Sequence, residues 1–214
     1  MTSIPQGQTA HINTDSVMLE GSLIIPDRAR GVVIFAHGSG SGRHSPRNKF
    51  VAEKLQEEGV STLLFDLLTE KEDEVYETRF DISLLTKRLI AATKWLENQP
   101  EAANLKIGYF GASTGAAAAL ASAAKFGSEI AAVVSRGGRP DLAWDLLPKV
   151  KAPTLLIVGG EDDVVIKLNK KALQEIKSEK KLEVIPGATH LFEEPGALEQ
   201  VARLATAWFK RCLS

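Results

Sequence analysis

The sequence predicts an α/β protein: a mostly parallel sheet with helices packed on both faces, entered through an antiparallel hairpin. Three observations predict it. Apolar runs of strand length alternate with amphipathic stretches of helix length through most of the 214 residues, which is the pattern of a sheet covered on both sides. The run GVVIFA at 31–36 contains no polar residue, as a strand buried on both faces requires. Residues 8–13 and 17–25 are separated by Asn13-Thr14-Asp15-Ser16, side chains suited to a tight turn, so the first two strands read as a hairpin.

The elements follow in order. After strand 31–36, Ser45 and Pro46 supply the N-cap and first residue of a helix that Gly59 ends. Strand 60–66 comes next. The strongly acidic segment 69–78 reads as a solvated loop, without a spacing that would suggest calcium ligands. Ile82, Leu85, Leu89 and Trp95 recur at helical spacing and predict a helix over about 80–98, with Pro100 just beyond it. Strand 105–110 runs into Gly-Ala-Ser-Thr-Gly and an alanine-rich helix. Strand 130–135, a short helix at 141–147, strand 153–158, helix 165–177, strand 181–185 and a closing helix at 196–212 complete the chain. There is no internal repeat and no dividing linker, so one domain over 1–214 is expected.

Composition narrows the function. Apolar residues are 44%, charged residues 25% and the net charge is -1, which suits a soluble globular protein and lacks the basic surplus of a nucleic-acid binder. Cys212 stands alone and so makes no internal disulfide. The first eight residues lack the basic start and apolar stretch of a secretion signal, and no run reaches the roughly 18–20 apolar residues of a membrane span. A cytoplasmic protein, a monomer or small homodimer with neither nucleic acid nor membrane as partner, is expected.

The chemistry is concentrated in four places. Gly111-Ala112-Ser113-Thr114-Gly115 lies between a strand and a helix, the context of a nucleophile elbow. About 0.07 such Gly-x-Ser-x-Gly patterns are expected by chance in a chain of this length. The turn is sharp, so its neighbours must be small, and Ser113 lies at the positive end of a helix. Serine needs a base, and His190, in PGATHLF between the last strand and the last helix, is the only histidine after Ser113. Its acid should follow the preceding strand, where Glu161, Asp162 and Asp163 compete. A Gly-x-x-Asp-x-x-Val reading from Gly159 selects Asp162, with Asp163 as runner-up or as a simple helix cap. The loop Phe35-Ala36-His37-Gly38-Ser39-Gly40 follows the first parallel strand. The N–H groups of Ser39 and Thr114 are the expected oxyanion donors, with His37 shaping the turn. Gly38–Gly42 fails as a dinucleotide fingerprint because Arg43 occupies its last glycine position.

HGSGSG, GYFGASTG, LLIVGGEDDVV and PGATHLF, in this order, resemble the dienelactone hydrolase-like branch of the α/β-hydrolases from about Leu19 to the final helix. The resemblance implies an α/β-hydrolase fold, an eight-stranded, mostly parallel sheet with an antiparallel second strand. It also implies a Ser113–His190–Asp162 triad needing no metal or organic cofactor. One departure matters. Dienelactone hydrolases proper use a cysteine nucleophile, and this chain has Ser113 there, so it looks more like the serine-bearing relatives, which behave as carboxylesterases or are unassigned.

The expected reaction is therefore hydrolysis of a small ester or lactone through an acyl-enzyme. Only residues 136–147 separate strand 130–135 from Pro148, so a minimal cap and a shallow site are expected. Arg136 and Arg139, at the carboxyl end of a strand, and Arg43 and Arg47, in the oxyanion-side loop, are candidates to hold an anionic group on the substrate. The competing reading of Arg136 is an ion pair with Asp141 or Asp145. Trp144 is a candidate pocket wall, whereas Trp95 and Trp208 read as core and His11 and His44 as surface. Two alternatives keep the scaffold: transfer of the acyl group to an alcohol or amine, and a non-catalytic binding module. The second is disfavoured by the survival of every catalytic part.

Overall fold

A computed structural model describes residues 7–14 and 17–214. Eight strands form one sheet in the order β1-β2-β4-β3-β5-β6-β7-β8: β1 (Gln8–Thr14), β2 (Val17–Ile24), β3 (Gly31–Ala36), β4 (Ser61–Phe65), β5 (Lys106–Ala112), β6 (Ile130–Arg136), β7 (Thr154–Gly159) and β8 (Lys180–Ile185). β1 and β2 pair antiparallel, as do β2 and β4, and every later pair is parallel. The sheet is that of an α/β-hydrolase. Two of the expected turn residues, Asp15 and Ser16, lie outside the described residues, as does the start of the chain through residue 6.

Two cores flank the sheet. On one face α1 (Pro46–Glu57) and α6 (Ala197–Leu213) cover Val33, Phe35, Phe110, Val134 and Ile157. On the other, α3 (Ile82–Glu97), α4 (Thr114–Phe126) and α5 (Asp163–Glu175) cover Ile34, Leu63, Tyr109, Val133 and Leu156. The alternation along each strand sends successive side chains to opposite cores, which is why β3, β4 and β7 are buried at every position. Trp208 is buried and Trp95 packs against its core, both as structural residues. Among the described residues no helix is long and apolar enough to cross a membrane.

Local chemistry sets the helix ends as expected. Ser45 Oγ accepts from the N–H of Asn48 at the start of α1, and Gly59 takes a φ of 76° just past its end. The acidic stretch 69–78 departs from expectation. It is not a free loop but holds a short helix, α2 (Glu70–Asp73), closed by a reciprocal Thr69–Glu72 capping box, and a 3-10 turn at Glu77–Phe80. Carboxylates in a first helical turn face the positive end of the helix. Glu72 also bonds Arg88 of α3 at 2.8 Å and Asp73 pairs with Arg79 at 3.2 Å. Those basic partners come from outside the segment, so its own composition did not reveal them.

Between β6 and β7 there is no inserted cap. Residues 137–153 form a tight loop and a 3-10 segment, Pro140–Lys149, which packs against α4 and α5.

Backbone packs tightly against backbone where α4 meets the sheet. A Cβ on Gly115 would fall 2.1 Å from the Ala36 carbonyl oxygen and 2.4 Å from that of His37, both backbone atoms that cannot swing aside. Gly115→Ala is expected to destabilise the protein by about 2–3 kcal/mol, read as a lower denaturant midpoint with an unchanged slope in urea unfolding.

Candidate active site

Ser113 occupies the turn between β5 and α4 with φ 50° and ψ -118°, a left-handed conformation for a residue with a side chain. Strain of this kind persists only where surrounding packing imposes it. Here Gly111 abuts Ala116, where a Cβ would come within 2.4 Å of its Cα, and Gly115 abuts the end of β3. The Ser113 backbone is fixed from the far side too: its N–H donates to the Arg136 carbonyl at 3.2 Å, and its carbonyl accepts from the N–H of Arg139 at 3.1 Å. The hydroxyl is thereby held out at the carboxyl end of the sheet.

His190 and Asp162 come together in a second unit. Gly160 N–H donates to the Ile185 carbonyl at 2.8 Å and Glu161 N–H to that of Ala188 at 2.9 Å, which zips the loop after β7 to the loop after β8. Gly159 is required there, since a Cβ would meet the Ala188 oxygen at 2.4 Å. The result is a bond of 2.6 Å from His190 Nδ1 to Asp162 Oδ2, while Asp162 Oδ1 caps α5 by accepting from the N–H of Val165. Each carboxylate oxygen thus has its own donor, and Asp163 is the first residue of α5, exposed to solvent. Because a carboxylate only accepts, Nδ1 must carry the proton, and the neutral ring presents a lone pair at Nε2.

The loop at 136–139 joins the two units. Its ends bond the Ser113 backbone, and at Gly137, φ 52°, a Cβ would touch His190 Cε1 at 3.4 Å and Phe192 Cε2 at 3.4 Å. Asn169 of α5 holds this loop by donating from Nδ2 to the Gly138 carbonyl at 3.0 Å. Gly137, Asn169 and Phe192, the last buried with φ 57°, were missed in the sequence. The adjacent Gly137-Gly138 pair was the available signal, since two glycines after a strand mark a close backbone approach. Ser113 Oγ and His190 Nε2 make no hydrogen bond among the described residues; in unliganded sites such bonds are often long and tighten only with substrate.

The expected oxyanion donors are also open. Neither the N–H of Ser39 nor that of Thr114 has an acceptor among the described residues, and Gly38 approaches Ser113 so closely that a Cβ would lie 3.1 Å from the serine Cβ. His37 is occupied on both nitrogens. Nε2 accepts from the N–H of Leu67 at 2.9 Å, so Nδ1 carries the proton and donates to the Gly38 carbonyl at 3.0 Å. It shapes the turn, with no lone pair left for a base.

The arginines separate sharply. Arg43 is bound by both Asp66 and Glu20. Its charge is thereby met by two carboxylates, Glu20 on β2 and Asp66 just past β4. Arg139 makes a two-point pair with Asp141 at 2.9 and 2.8 Å, and Arg47 pairs with Glu193 at 2.8 Å. Arg136 is 8% exposed and pairs with neither Asp141 nor Asp145. Trp144 lies on the Pro140–Lys149 segment, about one-third exposed, with no hydrogen bond to the cluster. Among the described residues no group of three or more His, Cys, Asp or Glu could hold a metal ion.

Comparison with known proteins follows the same outline. The profile of the dienelactone hydrolase family matches residues 19–213. The crystal structure of a dienelactone hydrolase from Anabaena variabilis is 55% identical, superposes with a TM-score of 0.96, and covers 99% of this chain and 100% of that one. Est1E from Butyrivibrio proteoclasticus, 18% identical with a TM-score of 0.82 over 97% of this chain and 99% of that one, shares the fold. A Mycobacterium tuberculosis protein provisionally named a phosphoribosyl transferase is 60% identical over 193 residues, 90% of this chain. The match covers 44% of that protein, so this chain spans less than half the length of that relative.

Burial lowers the His37 pKa below its ordinary 6.5, against the opposing pull of the Gly38 carbonyl and the charges of Asp66 and Asp73. The unfolded chain binds the proton at the ordinary value and the folded protein resists it, so the unfolded state gains protons first. The His37 contribution to stability is complete above pH 6.5 and is lost as pH falls through the depressed value. Urea midpoints measured across this range should decline on acidification below 6.5, and His37→Gln should flatten that part of the curve.

Proposed function

Because this chain belongs to the dienelactone hydrolase family, we propose that it cleaves a small carboxylic ester or lactone through an acyl-enzyme on Ser113. The single observation that supports this most is the 2.6 Å bond from His190 Nδ1 to Asp162. It fixes the imidazole tautomer that leaves Nε2 basic, on a loop held against the one that anchors Ser113.

The steps follow from that geometry. Ser113 Oγ attacks the ester carbonyl carbon while His190 Nε2 takes its proton, and the carbonyl oxygen becomes an oxyanion between the N–H groups of Ser39 and Thr114. The Asp162 carboxylate stabilises the imidazolium. His190 then protonates the leaving oxygen, the carbon–oxygen bond breaks, and the acyl group remains on Ser113. Water, deprotonated by the same imidazole, attacks the acyl carbon and releases the acid and free serine. Water is the natural acceptor because the His190 side chain is 39% exposed to solvent. The serine, rather than a thiol, makes this base indispensable, since a hydroxyl has no appreciable anionic form near neutral pH.

The transferase name of the M. tuberculosis relative belongs to a protein of which this stretch is 44%. The paired imidazole and carboxylate behind an elbow serine favour acyl chemistry for the stretch itself.

A fluorophosphonate probe should label the protein at Ser113, located by peptide mass, and Ser113→Ala should abolish labelling. On p-nitrophenyl acetate, Ser113→Ala is expected to lower kcat by about 10⁴-fold or more. Asp162→Asn should cost about 10³–10⁴-fold through the wrong tautomer, and Asp163→Asn less than about threefold, given the role it is left with as an exposed helical residue. Near-normal turnover by Ser113→Ala would remove the proposal.

A further inference from the structure

Arg136 is the last residue of β6, opposite Ala112 in the sheet register, and its carbonyl accepts from the N–H of Ser113. Ala132 and Val134, two and four residues earlier, face the core under α1 and α6, so the alternation of the strand sends the Arg136 side chain to that same face. It emerges at the sheet end, beside the nucleophile and toward the N-terminal end of α1, where Arg47 lies. The residue is 8% exposed, Nη1 is fully enclosed, and no acceptor or carboxylate meets the guanidinium among the described residues.

This arginine differs from the others around the site. Arg43, Arg47 and Arg139 each have a carboxylate, and each is more exposed. An enclosed guanidinium without a partner is one of the costliest placements in a folded protein, and it does not escape by losing its proton. Burial, followed by the repulsion of Arg47, lowers its pKa only to about 10, so it stays charged at neutral pH. A positive charge kept beside a reactive serine, with its donors unspent, has its counter-charge arriving from outside.

We infer that Arg136 forms an anion subsite next to Ser113, which takes an oxyanion group, carboxylate or phosphate, carried on the substrate a short spacer from the scissile carbonyl. The planar fork of the guanidinium offers two parallel N–H donors to two oxygens of such a group. The spacer is bounded by the length of one arginine side chain, because the Arg136 carbonyl accepts from the N–H of Ser113. Arg47, with Nε also enclosed and without an acceptor, adds positive potential at the rim while Glu193 occupies its outer edge. This deepens the esterase reading, on which it rests for its substrate class.

The test uses a matched pair of esters, monomethyl succinate and dimethyl succinate, with proton release as the readout. The wild type should prefer the monoanion by about tenfold or more in kcat/KM, the range of one charge-assisted hydrogen bond. Arg136→Met should erase that preference, with the neutral diester losing no more than about threefold. Its melting temperature should hold or rise, since a buried unpaired charge is removed. Equal losses on both esters, no anion preference in the wild type, or a fall of several degrees in melting temperature would each overturn the subsite. Binding of succinate and of inorganic phosphate to Ser113→Ala, followed by calorimetry, separates this inference from the catalytic one. Anion binding that Arg136→Met abolishes supports the subsite even if no ester is turned over, and the tighter of the two anions identifies the oxyanion. Absence of binding by either anion overturns the subsite while leaving ester cleavage standing.

Discussion

The backbone at Ser113 is held at φ 50° because α4 is pressed against the end of the sheet with no side chain between them. Gly111 and Gly115 make that contact possible, and the Ala36 and His37 carbonyls, Ala116, and the bonds to Arg136 and Arg139 make it compulsory. A residue with a side chain does not rest in this conformation unless the rest of the molecule over-determines it. The dense alanine face of α4 serves the same end, because only small residues let a helix approach the sheet so closely. Much else in the architecture follows from this one turn. It leaves the first N–H of α4 without a backbone acceptor among the described residues, and it anchors the loop after β6, which reaches across to the histidine loop.

Charges around the cleft are handled in three ways. Some are neutralised in place: Arg43 by Asp66 and Glu20, Arg139 by Asp141, and Arg88 by Glu72. One pair is poised for chemistry, with Asp162 dividing its two oxygens between the cap of α5 and the ring of His190. The third is a cation left without a counter-ion, Arg136. Two histidines show the same logic. His37 and His190 both lie near Ser113 in space, yet His37 has each nitrogen committed to backbone, while His190 keeps Nε2 unengaged. What separates the two is the set of partners of each ring nitrogen, which leaves a lone pair open only on His190.

The parts of the site that could be read directly were those whose meaning is local. Gly-x-Ser-x-Gly between a strand and a helix demands a sharp turn wherever it occurs, and Ser45-Pro46 starts a helix by filling its own first N–H positions. Asp162 was separable from Asp163 by spacing from Gly159, and its contact with His190 agrees with that choice of residue. The acidic segment 69–78 was read as a loop from its run of like charges. The helix there combines a local Thr69–Glu72 capping box with a salt bridge from Glu72 to Arg88, which only the packing of α3 brings into reach. The partners of Arg43 were hidden for a similar reason: Glu20 on β2 and Asp66 just past β4 are each 23 positions away, and only the sheet brings them beside it.

The strands, the long helices and their order were thus determined by the chain itself, because strand alternation, helix periodicity, caps and glycine turns act over a few residues. Which charges find partners was decided only by the tertiary structure, because Coulomb attraction and burial depend on distance in space and not along the chain. Arg136 and Arg139 illustrate the division. They are three positions apart in one motif, yet one is paired with Asp141 and the other enclosed at the end of β6 without a carboxylate.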